Sequence, residues 1–315
     1  MTKKLTGPPR PTTSVLETIG HTPLVELTRL GPSRGARIFV KLEQFNPTGS
    51  YKDRMAKAMI EGAESRGQLL PRATIVEFTG GSTGSALALV CAVKGYRLKL
   101  VSSDAYSREK LDTMRALGAE VTIVRSEEGR ITPDLLERMR SEVERIAREE
   151  GAYWTNQFRS HDALEGYSGI GREIFAQLDG APEAFVGAVG TGGMLVGVSR
   201  TLKRHGTRIV ALEPASSPVL TQGRAGPHRV EGVGVGFVPP LLDKEFYDEV
   251  WAIEERDGRE MSLRLAREEG IFAGTSSGLN VVGARMMASR LPEKARVVTV
   301  AVDTGLKYLS GDLFR

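Results

Sequence analysis

The sequence predicts an α/β protein built on two open, mostly parallel sheets with helices on both faces. Three observations carry that expectation. Short β-rich runs alternate with longer runs of helical periodicity almost throughout. The β-rich runs are apolar, as strands covered on both faces must be. Eight of them spread over some 300 residues fit two sheets better than one.

The expected strands are Arg37–Leu42, Thr74–Phe78, Leu98–Ser102, Glu120–Val124, Ala184–Ala188, Ile209–Leu212, Val250–Ile253 and Val297–Val302. Helices are expected over Asp53–Arg66, Thr83–Lys94, Glu109–Leu117, Pro133–Glu149, Gly166–Leu178, Met194–Lys203, Gly258–Glu269 and Gly278–Ser289. Glu137, Arg138, Glu142, Glu144, Arg145 and Arg148 form mixed pairs at helical spacing, which marks a solvated face. The break between the two sheets is expected near Gln157–Asp162. No internal repeat or low-complexity tract is evident.

The segment Asn46-Pro47-Thr48-Gly49-Ser50-Tyr51-Lys52-Asp53-Arg54 joins a strand-like run to a helix-like run. Pro47 and Gly49 force a turn, and Ser50 is a candidate N-cap. Lys52 then falls in the first helical turn, where a cation opposes the positive end of the helix dipole. Its pKa should fall, favouring the neutral amine that Schiff-base chemistry needs. On these residues alone a solvated surface lysine and a reactive amine both stay open.

In open α/β sheets ligands bind where strand ends lead into helix N-termini. Two glycine loops have that form: Thr79-Gly80-Gly81-Ser82-Thr83-Gly84-Ser85 and Val189-Gly190-Thr191-Gly192-Gly193-Met194. Their glycines allow close backbone approach while N–H groups point at an anion. The second has neither G-x-G-x-x-G spacing nor a P-loop ending, and suits a small phosphate better. Gly232-Val233-Gly234-Val235-Gly236-Phe237 is too irregular to read by spacing. Ala273-Gly274-Thr275-Ser276-Ser277-Gly278 opens a helix and offers hydroxyls.

Composition narrows the function classes. Hydrophobic content of 40% and charged content of 26% are ordinary for a globular protein. No apolar run is long enough for a membrane span, and the polar, proline-rich start (MTKKLTGPPRPTTS) reads as a disordered arm without a signal-peptide core. The lone Cys91 excludes an intramolecular disulfide and reads as a core thiol. The expected compartment is the cytoplasm. The net charge of +4 is dispersed, which argues against a nucleic-acid partner. His21, His161, His205 and His228 share no metal spacing; His161 is the one nearest the expected sheet junction. Asp53 and Arg54 read as a structural pair, and Tyr153 and Trp154 as junction packing.

From Ile19-Gly20-His21-Thr22-Pro23-Leu24-Val25 to Asp303-Thr304-Gly305 the chain resembles the cysteine synthase (O-acetylserine sulfhydrylase) and cystathionine β-synthase family of pyridoxal-phosphate enzymes. NPTGSYKDR looks like its lysine motif, GTGGM its phosphate loop, TGGSTG its substrate-carboxylate loop, EGVGVGF its ring-side loop and GTSSG its pyridine-nitrogen loop. The resemblance implies the tryptophan-synthase-β fold type (fold type II). It implies a larger domain of residues 1–44 and 159–315 and a smaller mobile one of residues 45–158. It implies a homodimer taking an amino-acid substrate and a sulfur nucleophile.

Carried over by residue, Lys52 would hold pyridoxal 5′-phosphate as an internal aldimine and then take the substrate's α-proton. Gly190, Thr191, Gly192, Gly193 and Met194 would cradle the phosphate, Ser276 would meet the pyridine nitrogen, and Ser82 would stand at the ring hydroxyl. Thr79, Gly80, Gly81, Thr83 and Gln157 would hold the substrate carboxylate, with Gly234 beside the ring. A serine at the ring nitrogen makes a weaker electron sink than an aspartate, steering reaction toward loss of a β-substituent. The implied reaction is β-replacement on an activated serine such as O-acetylserine, through an α-aminoacrylate, giving cysteine or an analogue. The alternatives are a lyase (serine or threonine dehydratase, or cysteine desulfhydrase), a cystathionine β-synthase-like condensation, and a silent relative acting through a partner.

Departures from the family pattern fall near the expected site. Gly80 and Ser82 stand where serine and asparagine are usual, and Met194 where threonine often closes the phosphate loop. A phosphate hydrogen bond lost there is worth about 1.5–3 kcal/mol. Leu306-Lys307 replaces Glu-Arg, and Ser102-Ser103 replaces Met-Pro. They leave the amino-acid substrate as the open question.

Overall fold

A computed structural model describes residues 11–315. The arm expected to be disordered lies, up to Arg10, outside the described residues. The strands are β1 (Leu24–Glu26), β2 (Arg37–Leu42), β3 (Thr74–Phe78), β4 (Arg97–Ser103), β5 (Glu120–Val124), β6 (Tyr153–Trp154), β7 (Ala184–Ala188), β8 (Arg208–Pro214), β9 (Glu249–Ile253) and β10 (Arg296–Ala301). The helices are α1 (Lys52–Ser65), α2 (Ser82–Lys94), α3 (Arg108–Ala116), α4 (Pro133–Glu150), α5 (His161–Gln177), α6 (Gly193–Leu202), α7 (Val219–Gln222), α8 (Glu255–Glu269) and α9 (Thr275–Ala288).

Six strands form one sheet in the order β1-β2-β10-β7-β8-β9, and four form another in the order β5-β4-β3-β6. Among the strands of the described residues only β1 runs antiparallel, at an edge against β2. Every residue of β3 and of β7 is buried, as central parallel strands between two helical layers require. The two short strands β1 and β6 escape the sequence reading. Three and two residues are too few to carry a period, and they are strands only because Lys41 and Ile75 lie opposite them.

Helix α4 shows the local logic most plainly. Leu135, Met139, Val143 and Ile146 recur every three or four residues and are buried. Thr132 accepts the Leu135 N–H at 3.1 Å, Pro133 occupies the first turn, and Gly151 closes the end in the left-handed region. The outer face carries Arg138–Asp134 and Arg140–Glu144 pairs, the solvated face expected from the sequence.

Three helices begin three to five residues earlier than the periodicity suggests: α5 at His161, α8 at Glu255 and α9 at Thr275. Each runs through a glycine that sequence reasoning takes as its start. The reason is packing. A Cβ on Gly258 would stand 3.3 Å from the Leu279 backbone, so the glycine lets α8 press against α9.

Candidate active site

A cavity of about 350 Å³ opens at the carboxyl ends of β2, β3, β7 and β10. That size lies within the range of small-molecule sites. Its wall includes Lys52, the Thr79–Thr83 loop, Gln157, Thr191, Gly234 and Ser276.

Lys52 is brought there by the loop before α1. The loop 49–51 pairs with the chain leaving β10: Thr304 N donates to Gly49 O at 2.9 Å and Tyr51 N to Val302 O at 3.2 Å. The N-cap position is Tyr51, not Ser50, yet the Ser50 hydroxyl accepts the Lys52 N–H at 3.2 Å. Asp53 and Arg54 do not pair with each other. Asp53 accepts the Thr48 N–H at 2.7 Å, whereas Arg54 grips Glu43 and Glu173 with bonds of 2.7–2.8 Å. Both anchor the segment around the lysine.

Lys52 is 8% exposed, so it is not a solvated surface lysine. Burial lowers its pKa to about 8, against the opposing charges of Glu77 and Asp303. The direction matches the sequence expectation; the cause is desolvation. The ammonium lies 5.1 Å from the Tyr51 ring centroid and 5.8 Å from that of Tyr167.

The first glycine loop is braced from within. Thr79 Oγ1 accepts the N–H groups of Gly81 at 2.9 Å and Gly84 at 3.2 Å. Thr83 Oγ1 donates to Gln157 Oε1 at 2.7 Å, and Gln157 Nε2 donates to the Phe78 carbonyl at 3.0 Å. Gln157 is held in turn by Glu77, which is fully buried and accepts the Gln157 N–H at 3.0 Å and the Thr155 hydroxyl at 2.7 Å. Ser82 Oγ donates to Asp303 Oδ2 at 3.3 Å and lies 3.5 Å from Lys307 Nζ.

In the second loop Gly192 caps α6 in the left-handed region, with φ +82°, which leaves the first N–H groups of the helix unpaired within it. Thr191 lines the main cavity; Gly190, Gly192, Gly193 and Met194 do not. The Met194 side chain is turned into the hydrophobic core. Ser276 sits in the first turn of α9, is 2% exposed and faces the cavity.

Sequence reasoning missed part of the wall. Tyr106, Lys110, His228, Glu231, Asp303 and Tyr308 all line it. His161, at the start of α5, does not. The signal that could have pointed to Tyr106 and Lys110 is the side-chain-free pair Gly80-Gly81, whose missing volume another element has to fill. Among the described residues no cluster of His, Cys, Asp or Glu could hold a metal, and no helix is long and apolar enough to cross a membrane. Cys91 is buried away from the cavity, and burial pushes its thiol up to about 12.

Residues 15–303 match the sequence pattern of the family described as "Pyridoxal-phosphate dependent enzyme". A cysteine synthase of Staphylococcus aureus is 39% identical over 309 residues, spanning 97% of this chain and 98% of that protein. The crystal structure of an O-acetylserine sulfhydrylase isoform of Entamoeba histolytica superposes with a TM-score of 0.91 at 34% identity, covering all of this chain and 95% of that one. That of an O-ureido-L-serine synthase superposes with a TM-score of 0.89 at 37% identity, covering 97% and 96%.

Proposed function

We propose a reaction for this site from the premise that the chain belongs to the pyridoxal-phosphate-dependent enzyme family. The reaction is β-replacement on O-acetyl-L-serine by sulfide, giving cysteine. The observation that carries it is the convergence of a buried, pKa-lowered lysine with Ser276 and the Thr79–Thr83 loop in one cavity.

The residues present fit the cofactor. A buried amine, a cavity-facing serine hydroxyl and a left-handed glycine at the start of α6 supply complementary groups for a carbonyl, a ring nitrogen and a phosphate. When bound, pyridoxal phosphate supplies an electron sink at the substrate Cα, so that Cα loses its proton and Cβ its acetate.

The chain's own residues do the rest. Lys52 would hold the cofactor's carbonyl and, once released, would take the Cα proton at Nζ. Burial holds the free amine's pKa down at about 8, which favours the neutral form a base requires. Thr191, which lines the cavity, would offer its hydroxyl and N–H to the phosphate, and Gly190, Gly192, Gly193 and Met194, set behind the wall, would have only backbone N–H groups to offer. Ser276 would meet the ring nitrogen, and Ser82 and Gly234 would stand beside the ring. Thr79, Gly80, Gly81, Thr83 and Gln157 orient the substrate carboxylate. We read residues 45–158 as a smaller mobile unit on the larger body of 1–44 and 159–315, and the protein as a cytoplasmic homodimer.

Purified protein incubated with O-acetylserine and sulfide is expected to form cysteine, and Lys52→Ala to abolish it. Pyruvate release with no added nucleophile would favour a lyase instead. No turnover of O-acetylserine, O-phosphoserine or serine would overturn the reading.

A further inference from the structure

The cavity wall carries a charge pair that the proposed reaction does not use. Lys110 of α3 passes its stem beneath Gly81, where a Cβ would overlap the lysine methylenes. Its ammonium donates to Glu231 Oε2 at 2.6 Å and to the Tyr308 hydroxyl at 3.2 Å, and lies 4.4 Å from the Tyr308 ring centroid. The lysine side chain is 4% exposed and the glutamate 21%, so little solvent screens the pair. Both residues line the cavity, one from the helix beside the first glycine loop, the other from the loop that follows α7.

We propose that Glu231 is a specificity-determining residue that neutralises Lys110 and thereby restricts the β-substituent to a neutral group, rejecting a phosphate ester. The proposal rests on the reading of this site as one for an activated serine. An unpaired buried ammonium beside the carboxylate loop would be a ready anion site. Paired at 2.6 Å, it has no net charge to offer. A phosphorylated substrate would bring about two negative charges against the Glu231 carboxylate in a poorly screened wall, whereas an acetyl group meets no repulsion. Selection here works by a penalty on the wrong substituent. Other charges stay constant across the test: Lys307 lies toward Ser82, and Asp303 accepts the Tyr308 hydroxyl at 2.8 Å.

The experiment measures dissociation constants of O-phospho-L-serine and O-acetyl-L-serine for the holoenzyme, from changes in the cofactor's absorbance or fluorescence. Glu231→Gln keeps the shape and removes the charge; it should move the affinity ratio toward O-phosphoserine by about tenfold or more. Lys110→Met leaves the carboxylate unpaired and should move the ratio the other way. The Lys110→Gln/Glu231→Gln double variant should lose the gain. A ratio unmoved by Glu231→Gln, or a gain that survives loss of Lys110, overturns the proposal. Failure of the wild type to release acetate from O-acetylserine would sink the proposed reaction instead, while the ratio of dissociation constants would still judge Glu231.

Discussion

The two glycine loops leave buried parallel strands in the same way and open helices in the same way, yet their glycines answer to different neighbours. In the loop between β3 and α2 the space is taken by side chains. A Cβ on Gly80 would stand 2.7 Å from the Tyr106 ring, and one on Gly81 would overlap the Lys110 stem. In the loop between β7 and α6 the tightest approach is to backbone: a Cβ on Gly190 would overlap the Gly232 carbonyl oxygen, while Gly192 and Gly193 face the Leu242 and Tyr167 side chains at 3.1 Å. Side chains can be exchanged one at a time; a backbone crossing cannot. The first loop is thus a surface that substitution can tune, and the second a fixed cradle. That division fits a site in which one loop selects the amino acid and the other anchors a phosphate common to the family.

Breaking the cradle should cost most. Gly190→Ala forces the loop away from Gly232, with overpacking of about 3 kcal/mol or more because neither partner has a rotamer to change. Denaturant unfolding should show that loss, and the cofactor absorbance of purified protein should fall with it. Next comes Gly81→Ala, which meets both Lys110 and an unfavourable backbone, φ +135° with ψ −66°. A cost of about 1–3 kcal/mol is expected there. Its signature should differ: cofactor content stays near the wild type while KM for the amino acid rises. Equal loss of cofactor in both variants would erase the distinction between the loops.

Much of this organisation is visible in the sequence, and what is not has a physical reason. The strand Ala184–Ala188 announces itself because burial on both faces makes it continuously apolar, and Thr74–Phe78 is apolar but for Thr74 and the hydrogen-bonded Glu77. Lys52 is legible from the turn before it, but the cause of its lowered pKa is not. Burial is a property of what Tyr51, Tyr167 and the rest of the fold place around it. The Gly232–Gly236 cluster cannot be read from spacing, since its contacts run to distant residues. Gly232 faces Gly190, and Gly234 packs against His228, whose Nε2 lies 2.8 Å from the Gly234 carbonyl oxygen. Lys110 and Glu231 are 121 residues apart, so their pairing exists only once both sheets are assembled.

A smaller effect tests whether the first loop is tunable in the sense argued. Gly80→Ala crowds the Tyr106 ring and should cost about 1–2 kcal/mol. Here the obstacle is removable. Adding Tyr106→Ala should recover much of the loss, giving a coupling of about 0.5–1 kcal/mol in a double-mutant cycle on unfolding. No partner substitution is expected to rescue Gly190→Ala in this way. If Gly80→Ala/Tyr106→Ala showed simple additivity, the ring would not be what occupies the glycine's space.

The smallest change removes one hydrogen bond and no volume. Thr83→Val deletes the donor to Gln157 Oε1, a bond of 2.7 Å between two buried side chains. Gln157 keeps its bonds to Phe78 and Glu77, so the loop should stay folded and the cofactor bound. The expected cost of about 1 kcal/mol corresponds to roughly a fivefold drop in kcat/KM. It should appear with O-acetylserine while the cofactor's affinity stays unchanged. A loss of cofactor in Thr83→Val would mean that the first loop also holds the phosphate's side of the site. The contrast would then lie between two halves of one cradle, not between a selector and an anchor.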